Sequence, residues 1–112
     1  MEIETRTEGG CRVVRIKGSA DINASAALRE ALLGAIEMGD VRLVCDLAET
    51  DFICSDALGI LITAYLKARS RGGFVRLASP PSRLEEIFET TRLNRLFHIF
   101  PTTSEALQTA AS

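Results

Sequence analysis

The sequence predicts an α/β fold: a single-layer, mixed and mainly parallel β-sheet with an N-terminal antiparallel hairpin and about four helices. Three observations predict it. Short β-rich runs alternate with segments whose apolar residues recur at helical spacing, the pattern of a layered α/β fold. Gly9-Gly10 separates two strand-like runs near the start, which suggests a hairpin turn. The later strand–helix–strand units imply right-handed crossovers and therefore parallel neighbours. No linker, repeat or low-complexity stretch interrupts the chain, so residues 1–112 read as one domain, long enough for a single core and too short for two.

The elements follow in order. Ile3 lies in an alternating segment that ends at Glu8-Gly9-Gly10. In the next run, residues 11–17, Val14 and Ile16 share one face, while Arg15 and Lys17 take the other. Gly18-Ser19-Ala20-Asp21 breaks the strand. In the first helix Leu28, Leu32 and Ile36 recur every four residues beside Ala31 and Ala35. Either Asn23 or Ser25 can cap its start, and Gly39 can end it in a left-handed conformation.

Residues 41–45 read as a buried strand that delivers Asp46 at its end. A short loop then leads to the central helix, over residues 55–71. Ser55 stands where that helix begins, so its hydroxyl can cap free backbone N–H groups. Leu58, Leu61, Ile62, Tyr65 and Leu66 have the spacing of a core-facing stripe, and Gly72-Gly73 ends the helix. Residues 74–78 form the next strand. A third helix has two competing caps, Ser79 with Pro80 at its first position or Ser82 with Glu85, and buries Leu84, Ile87 and Phe88. Residues 96–100 read as a last strand, and Thr102-Thr103-Ser104-Glu105 caps a final helix carrying Ala106, Leu107 and Ala110.

Composition excludes several functions. With 13 basic against 15 acidic residues, five Phe, one Tyr and no Trp, the chain offers neither a positive stripe nor an aromatic stacking surface. Direct nucleic-acid binding is therefore not expected. Met1-Glu2-Ile3-Glu4 does not resemble a signal peptide, and no apolar run reaches membrane-spanning length, so membrane insertion is not expected. Cys11, Cys45 and Cys54 are far apart and have no histidine companion. They read as small buried hydrophobes in a reducing cytoplasm, with no metal site or disulfide framework.

Catalysis would need convergent reactive groups. His98, the lone histidine, lies in the apolar run Leu-Phe-His-Ile-Phe and reads as structural. Ser55 has no G-x-S-x-G context, and there is neither a phosphate-binding glycine loop nor a dinucleotide turn. No catalytic residue, cofactor or enzyme activity is expected. Functional loops of such sheets gather beyond the C-terminal ends of the strands, where Asp21, Asp46 and residues 51–56 all fall. Asp21, Asp46, Asp51 and Asp56 are either turn and cap residues or an acidic rim around Ser55. A helix start also attracts anions, which makes Ser55 a natural seat for a phosphoryl group.

Asp46-Leu47 followed by Phe52-Ile53-Cys54-Ser55-Asp56-Ala57-Leu58-Gly59 resembles the signature of STAS domains, in particular bacterial anti-sigma factor antagonists. Gly18-Ser19-Ala20-Asp21 is similar to the family's Gly-x-x-Asp. Arg92-Leu93-Asn94-Arg95-Leu96-Phe97, Pro101-Thr102 and Glu105-Ala106-Leu107 resemble its ending, so the likeness covers almost the whole chain. The resemblance implies a STAS-like sheet and a partner-switching role without enzyme activity. Such a protein binds an anti-sigma factor, a serine kinase of the histidine-kinase-like ATPase class, and so frees a sigma factor. The kinase phosphorylates a serine that maps onto Ser55, and a PP2C-type phosphatase removes the phosphate. The implied partner-binding residues are Asp21, Asn23, Cys54, Ser55, Asp56, Ala57, Leu58 and Gly59, with the helix over residues 55–65 as a docking face.

Three positions depart from the family pattern. Cys54 stands where many members have Asp or Ser, Asp56 where Ser or Ala is usual, and Ala57 where Gly is common. Asp56 is expected to alter kinase recognition or to mimic part of the phosphorylated charge, and the Ala57 methyl to limit a partner's approach. Arg92 replaces a frequent Gly at a helix end. Other readings are a constitutive STAS scaffold in a transport or signalling complex, and a small-ligand or nucleotide sensor built on the same loops.

Overall fold

The computed structural model describes residues 1–108, so Ala110, expected on the final helix, lies outside the described residues. β1 (Glu2–Glu8) and β2 (Cys11–Ala20) form the expected antiparallel hairpin. Gly9 and Gly10 make its turn at φ 59° and 79°, a backbone that follows the twist of the strands and that glycine adopts without a Cβ clash. The helical run α1 covers residues 25–37 and includes a wider π segment, Glu30–Gly34. Leu28, Leu32 and Ile36 are buried as their spacing predicted, and Gly39 follows at φ 102°.

β3 (Arg42–Asp46) runs parallel to β2. The stretch read as a loop contains a further short strand, β4 (Thr50–Ile53), parallel to the end of β2. The buried Thr50 hydroxyl donates to the Ile16 carbonyl at 2.6 Å and ties the two together. Alternation in so short a polar run was too weak to signal a strand. α2 (Ser55–Ser70) then leads to β5 (Phe74–Ala78), parallel to β3. α3 (Ser82–Thr90) and a 3₁₀ turn at Leu93–Arg95 precede β6 (Ile99–Phe100), parallel to β5, and α4 (Thr103–Gln108) follows. The sheet order is β1-β2-β3-β5-β6, with β4 beside β2.

Both faces of the sheet carry buried residues. Val14, Ile16, Leu43, Cys45, Val75 and Leu77 pack against α1, α2 and α3. On the opposite face, Cys11, Val13, Val44, Ala78 and Phe100 pack beneath Ala106 of α4 in a smaller cluster. The charged Arg15 and Lys17 hid this second layer, because Cys11 and Val13 share their face only at the other end of β2.

The face of α2 that meets the core also differs from the expected stripe. Ala57, Ile60, Leu61, Ala64 and Ala68 are buried, Leu58, Ile62 and Tyr65 are half-buried, and Leu66 is exposed. Small alanines let the helix lie close to the sheet, so size mattered more than hydrophobicity in choosing the inner face. Neither cap expected for α3 forms. Pro81 occupies the cap position without a side-chain bond, because Ser79 is held at φ 57° with its N–H donating to Phe100 O at 2.9 Å. The final strand is only two residues long, and His98 lies outside it. His98 is exposed and stacked on Phe100, with 4.1 Å between ring centroids.

Candidate functional site

Ala20 and Ile53 are partners in the parallel β2–β4 register, so the residues that follow each strand emerge side by side. The Cys54 N–H donates to Ala20 O at 2.9 Å and carries this alignment one residue past β4. On the β2 side, the Asp21 carboxylate accepts the Asn23 N–H at 3.0 Å and caps the 3₁₀ turn Ile22–Ala24. Asp21 thus caps the 3₁₀ turn that leads into α1, and α1 itself begins after Ala24 with no side-chain cap, so neither Asn23 nor Ser25 serves as one. The turn suits Asp, whose short carboxylate reaches the backbone two residues on. Asp21 is half-buried and Asn23 is exposed.

On the β4 side, Ser55 is the first residue of α2 and not its cap. The cap is Cys54, whose backbone is extended (φ −79°, ψ 168°) and whose Sγ accepts the Ala57 N–H at 3.4 Å. Cys54 takes this role because its N–H is still paired with β2, which holds its backbone in the strand conformation. The first backbone bond of the helix runs from Leu58 N to Cys54 O at 3.0 Å. The N–H groups of Ser55 and Asp56 precede that bond, at the positive end of the helix dipole.

Cys54 and Leu58 are half-buried and Ala57 is fully buried, whereas Ser55, Asp56 and Gly59 are exposed. The Ala57 methyl thus packs into the core and does not stand in a partner's way, contrary to expectation. Gly59 has open space where a Cβ would project. The surface that results is the Asp21–Asn23 turn on one side and the first turn of α2 on the other.

Asp46 does not belong to it. It is only 5 % exposed, its Oδ2 accepts from Arg15 Nε at 3.2 Å, and its Oδ1 accepts from the Ala48 N–H at 3.1 Å. Arg15 also lies 3.8 Å from Glu4 and 3.7 Å from Glu49, so Asp46 anchors an ion network across β1, β2 and β3. Of the four acids, Asp21, Asp51 and Asp56 are left open to solvent.

Two exposed hydrophobes escaped the sequence reading. Ile22 is 66 % exposed between Asp21 and Asn23, and Phe52 is 47 % exposed on β4. An apolar residue inside a polar turn was the available signal for Ile22. Phe52 carried no sequence signal of its exposure.

All three cysteines are free thiols. Burial pushes the Cys45 thiol up to about 12, with the neighbouring Asp46 charge adding to the effect. Burial also raises Cys11, against an opposing pull from Arg76 and Arg42. Among the described residues no group of three or more His, Cys, Asp or Glu side chains is placed to hold a metal ion, and no helix is long and apolar enough to cross a membrane.

Comparison with known proteins agrees with this fold. A curated Thermotoga maritima relative, provisionally named an anti-sigma factor antagonist, is 34 % identical over 73 residues. That match spans 65 % of this chain and 65 % of the relative's length. The crystal structure of a protein from the same organism, under the same provisional name, superposes with a TM-score of 0.92 at 21 % identity, covering 98 % of this chain and 95 % of the other. The phosphorylated form of the Bacillus cell fate determinant SpoIIAA gives 0.76 at 18 % identity, covering 96 % and 97 %. The family model for the STAS domain matches residues 2–106, and on that match, with the sheet order and helix placement above, the chain belongs to the STAS domain family.

Proposed function

We propose that this chain is an anti-sigma factor antagonist that works by partner switching in the cytoplasm, without enzyme activity of its own. It binds an anti-sigma factor that is a serine kinase of the histidine-kinase-like ATPase class, and so releases a sigma factor. Phosphorylation of Ser55 switches the antagonist off, and a PP2C-type phosphatase resets it. The observation that carries this reading is the exposed position of Ser55 at the first residue of α2, fixed beside the Asp21–Asn23 turn by the Cys54–Ala20 bond. The antagonist name of the Thermotoga relative and the phosphorylated SpoIIAA structure support it.

The chemistry is phosphoryl transfer. The Ser55 Oγ forms a bond to the γ-phosphorus of ATP, the bond to the bridging oxygen of ADP breaks, and the hydroxyl proton passes to the kinase. The product carries about −1.5 to −2 charges, which the helix N-terminus tolerates but a complementary acidic or apolar interface does not. Incubation with ATP and each histidine-kinase-like serine kinase of the source genome should add one phosphoryl group at Ser55, as read by mass spectrometry. Ser55→Asp should lose kinase binding. Wild-type binding by both Ser55→Ala and Ser55→Asp would refute the switch.

Asp56 favours a second reading, a constitutive STAS scaffold in a transport or signalling complex. It is exposed in the first turn of α2 and already places a negative charge beside Ser55. In that case no kinase would modify Ser55, and Asp56→Ala would not create a substrate.

A further inference from the structure

A groove of about 410 Å³ runs between β4 and α3, with Phe52 on one wall and Ile87 on the other. Phe52 leaves 47 % of its surface in contact with water, although a buried aromatic contributes more than most side chains to an interface. Asp51 and Glu86 line the same groove against Arg83, and all three are exposed. Two acids face one base in this lining, so the acidic groups prevail. Phe52 is three residues ahead of Ser55 on the same connection. An extended chain rises about 3.3 Å per residue, so no more than about 10 Å of backbone separates them.

Resting on the reading of Ser55 as the phosphoacceptor, we infer that this groove is the docking pocket of the anti-sigma factor kinase. It takes an apolar side chain of the kinase between Phe52 and Ile87, carried on a segment with a flanking Lys or Arg that meets Asp51 and Glu86. A kinase with its catalytic centre over Ser55 must cover the end of β4, so the groove continues the same contact surface. The acidic groups select a basic partner segment and raise its rate of encounter, while the apolar walls hold it once seated. The docking step thus fixes which kinase reaches Ser55.

The test measures binding and Ser55 phosphorylation with the source genome's histidine-kinase-like serine kinases, purified one at a time. The kinase that binds wild type should bind Phe52→Ala about tenfold or more weakly. It should bind Asp51→Lys with a slower on-rate that is less sensitive to salt. Met38→Ala, at a side chain 85 % exposed beyond the end of α1, should leave both unchanged. Circular-dichroism melts should show the half-exposed Phe52 position tolerating Ala. If Phe52→Ala and Asp51→Lys bind like wild type while Ser55→Asp does not, the groove is wrong and the Ser55 reading stands. If no kinase binds wild type, both fall. Concentration-dependent self-association of wild type that Phe52→Glu abolishes would assign the groove to a second copy of the chain and overturn kinase docking.

Discussion

The Sγ of Cys54 accepts the backbone N–H of Ala57 at 3.4 Å, so the helix that presents Ser55 is capped by the residue immediately before it. A thiol is a weaker acceptor than a hydroxyl or carboxylate. Cys54→Ala should therefore cost about 1 kcal/mol, at the middle of the range for lost caps, and Cys54→Ser should cost nothing or add stability. Urea unfolding followed by circular dichroism distinguishes them. Equal losses in both variants would mean that Cys54 contributes by packing and not as a cap.

Gly73 is required by a close approach. The Phe74 N–H donates to Val41 O at 2.8 Å, drawing the entry of β5 against the residue just before β3, and a Cβ on Gly73 would overlap the Val41 carbonyl. Backbone cannot swing aside as a flexible side chain can. Gly73→Ala should destabilise by about 2–3 kcal/mol, in the range of overpacked sites. Gly72, at φ 81° with open space around it, tests a different cost, because Gly72→Ala meets only backbone strain. The larger loss should fall at Gly73, as read from the two urea midpoints.

Much of this architecture was legible because each element carried its own signal. Gly9-Gly10 marked the hairpin, four-residue spacing marked Leu28, Leu32 and Ile36, and the strand at Phe74–Ala78 was bounded by Gly72-Gly73 and Pro80-Pro81. The failures occurred where tertiary contacts overrode local preference. Ser55 is a better cap than Cys54 by propensity, yet the Cys54–Ala20 bond moves the helix start by one residue. Asp46 resembled its fellow strand-end acids, and only the fold reveals that Arg15, 31 positions earlier, claims it. The neighbourhood of Ser55 was legible as a motif; the Phe52 groove was not, since it joins residues far apart in the chain.

Cys45 makes stability sensitive to alkali. Its thiol is pushed up to about 12 in the fold, from an ordinary value near 9.0, because burial disfavours the thiolate. Above pH 9 the unfolded chain loses this proton while the folded chain keeps it, so the unfolded state binds fewer protons and stability falls as pH rises. The expected loss is about 1 kcal/mol per pH unit between pH 9 and 12 from this thiol, with none below pH 8. The Lys17 ammonium, raised chiefly by its hydrogen bond to Glu4, also loses its stabilising partner above its ordinary value near 10.5. The contribution of Cys45 must therefore be read as the difference in slope between wild type and Cys45→Ala from pH 8 to 10. Parallel slopes would show that the folded state admits the thiolate.

Arg92 stands in the left-handed region, at φ 61° and ψ 19°, where the chain leaves α3 for the turn at Leu93–Arg95. Its conformation is held from both sides: its N–H donates to Glu89 O, and its carbonyl accepts from Arg95 N, each at 3.1 Å. An L-residue with a Cβ costs about 1–2 kcal/mol in this region, whereas glycine costs nothing there but loses about 0.5–1 kcal/mol more in chain entropy on folding. The difference favours Arg92→Gly by about 0.5–1 kcal/mol. Arg92 is exposed, so little packing is lost with its side chain. Arg92→Asn should recover part of the gain, because asparagine tolerates the left-handed region better than other residues with a Cβ. Urea unfolding should show a higher midpoint with an unchanged slope, in the order Gly, Asn, Arg. A lower midpoint for Arg92→Gly would mean that the arginine side chain contributes more to the turn than its backbone costs.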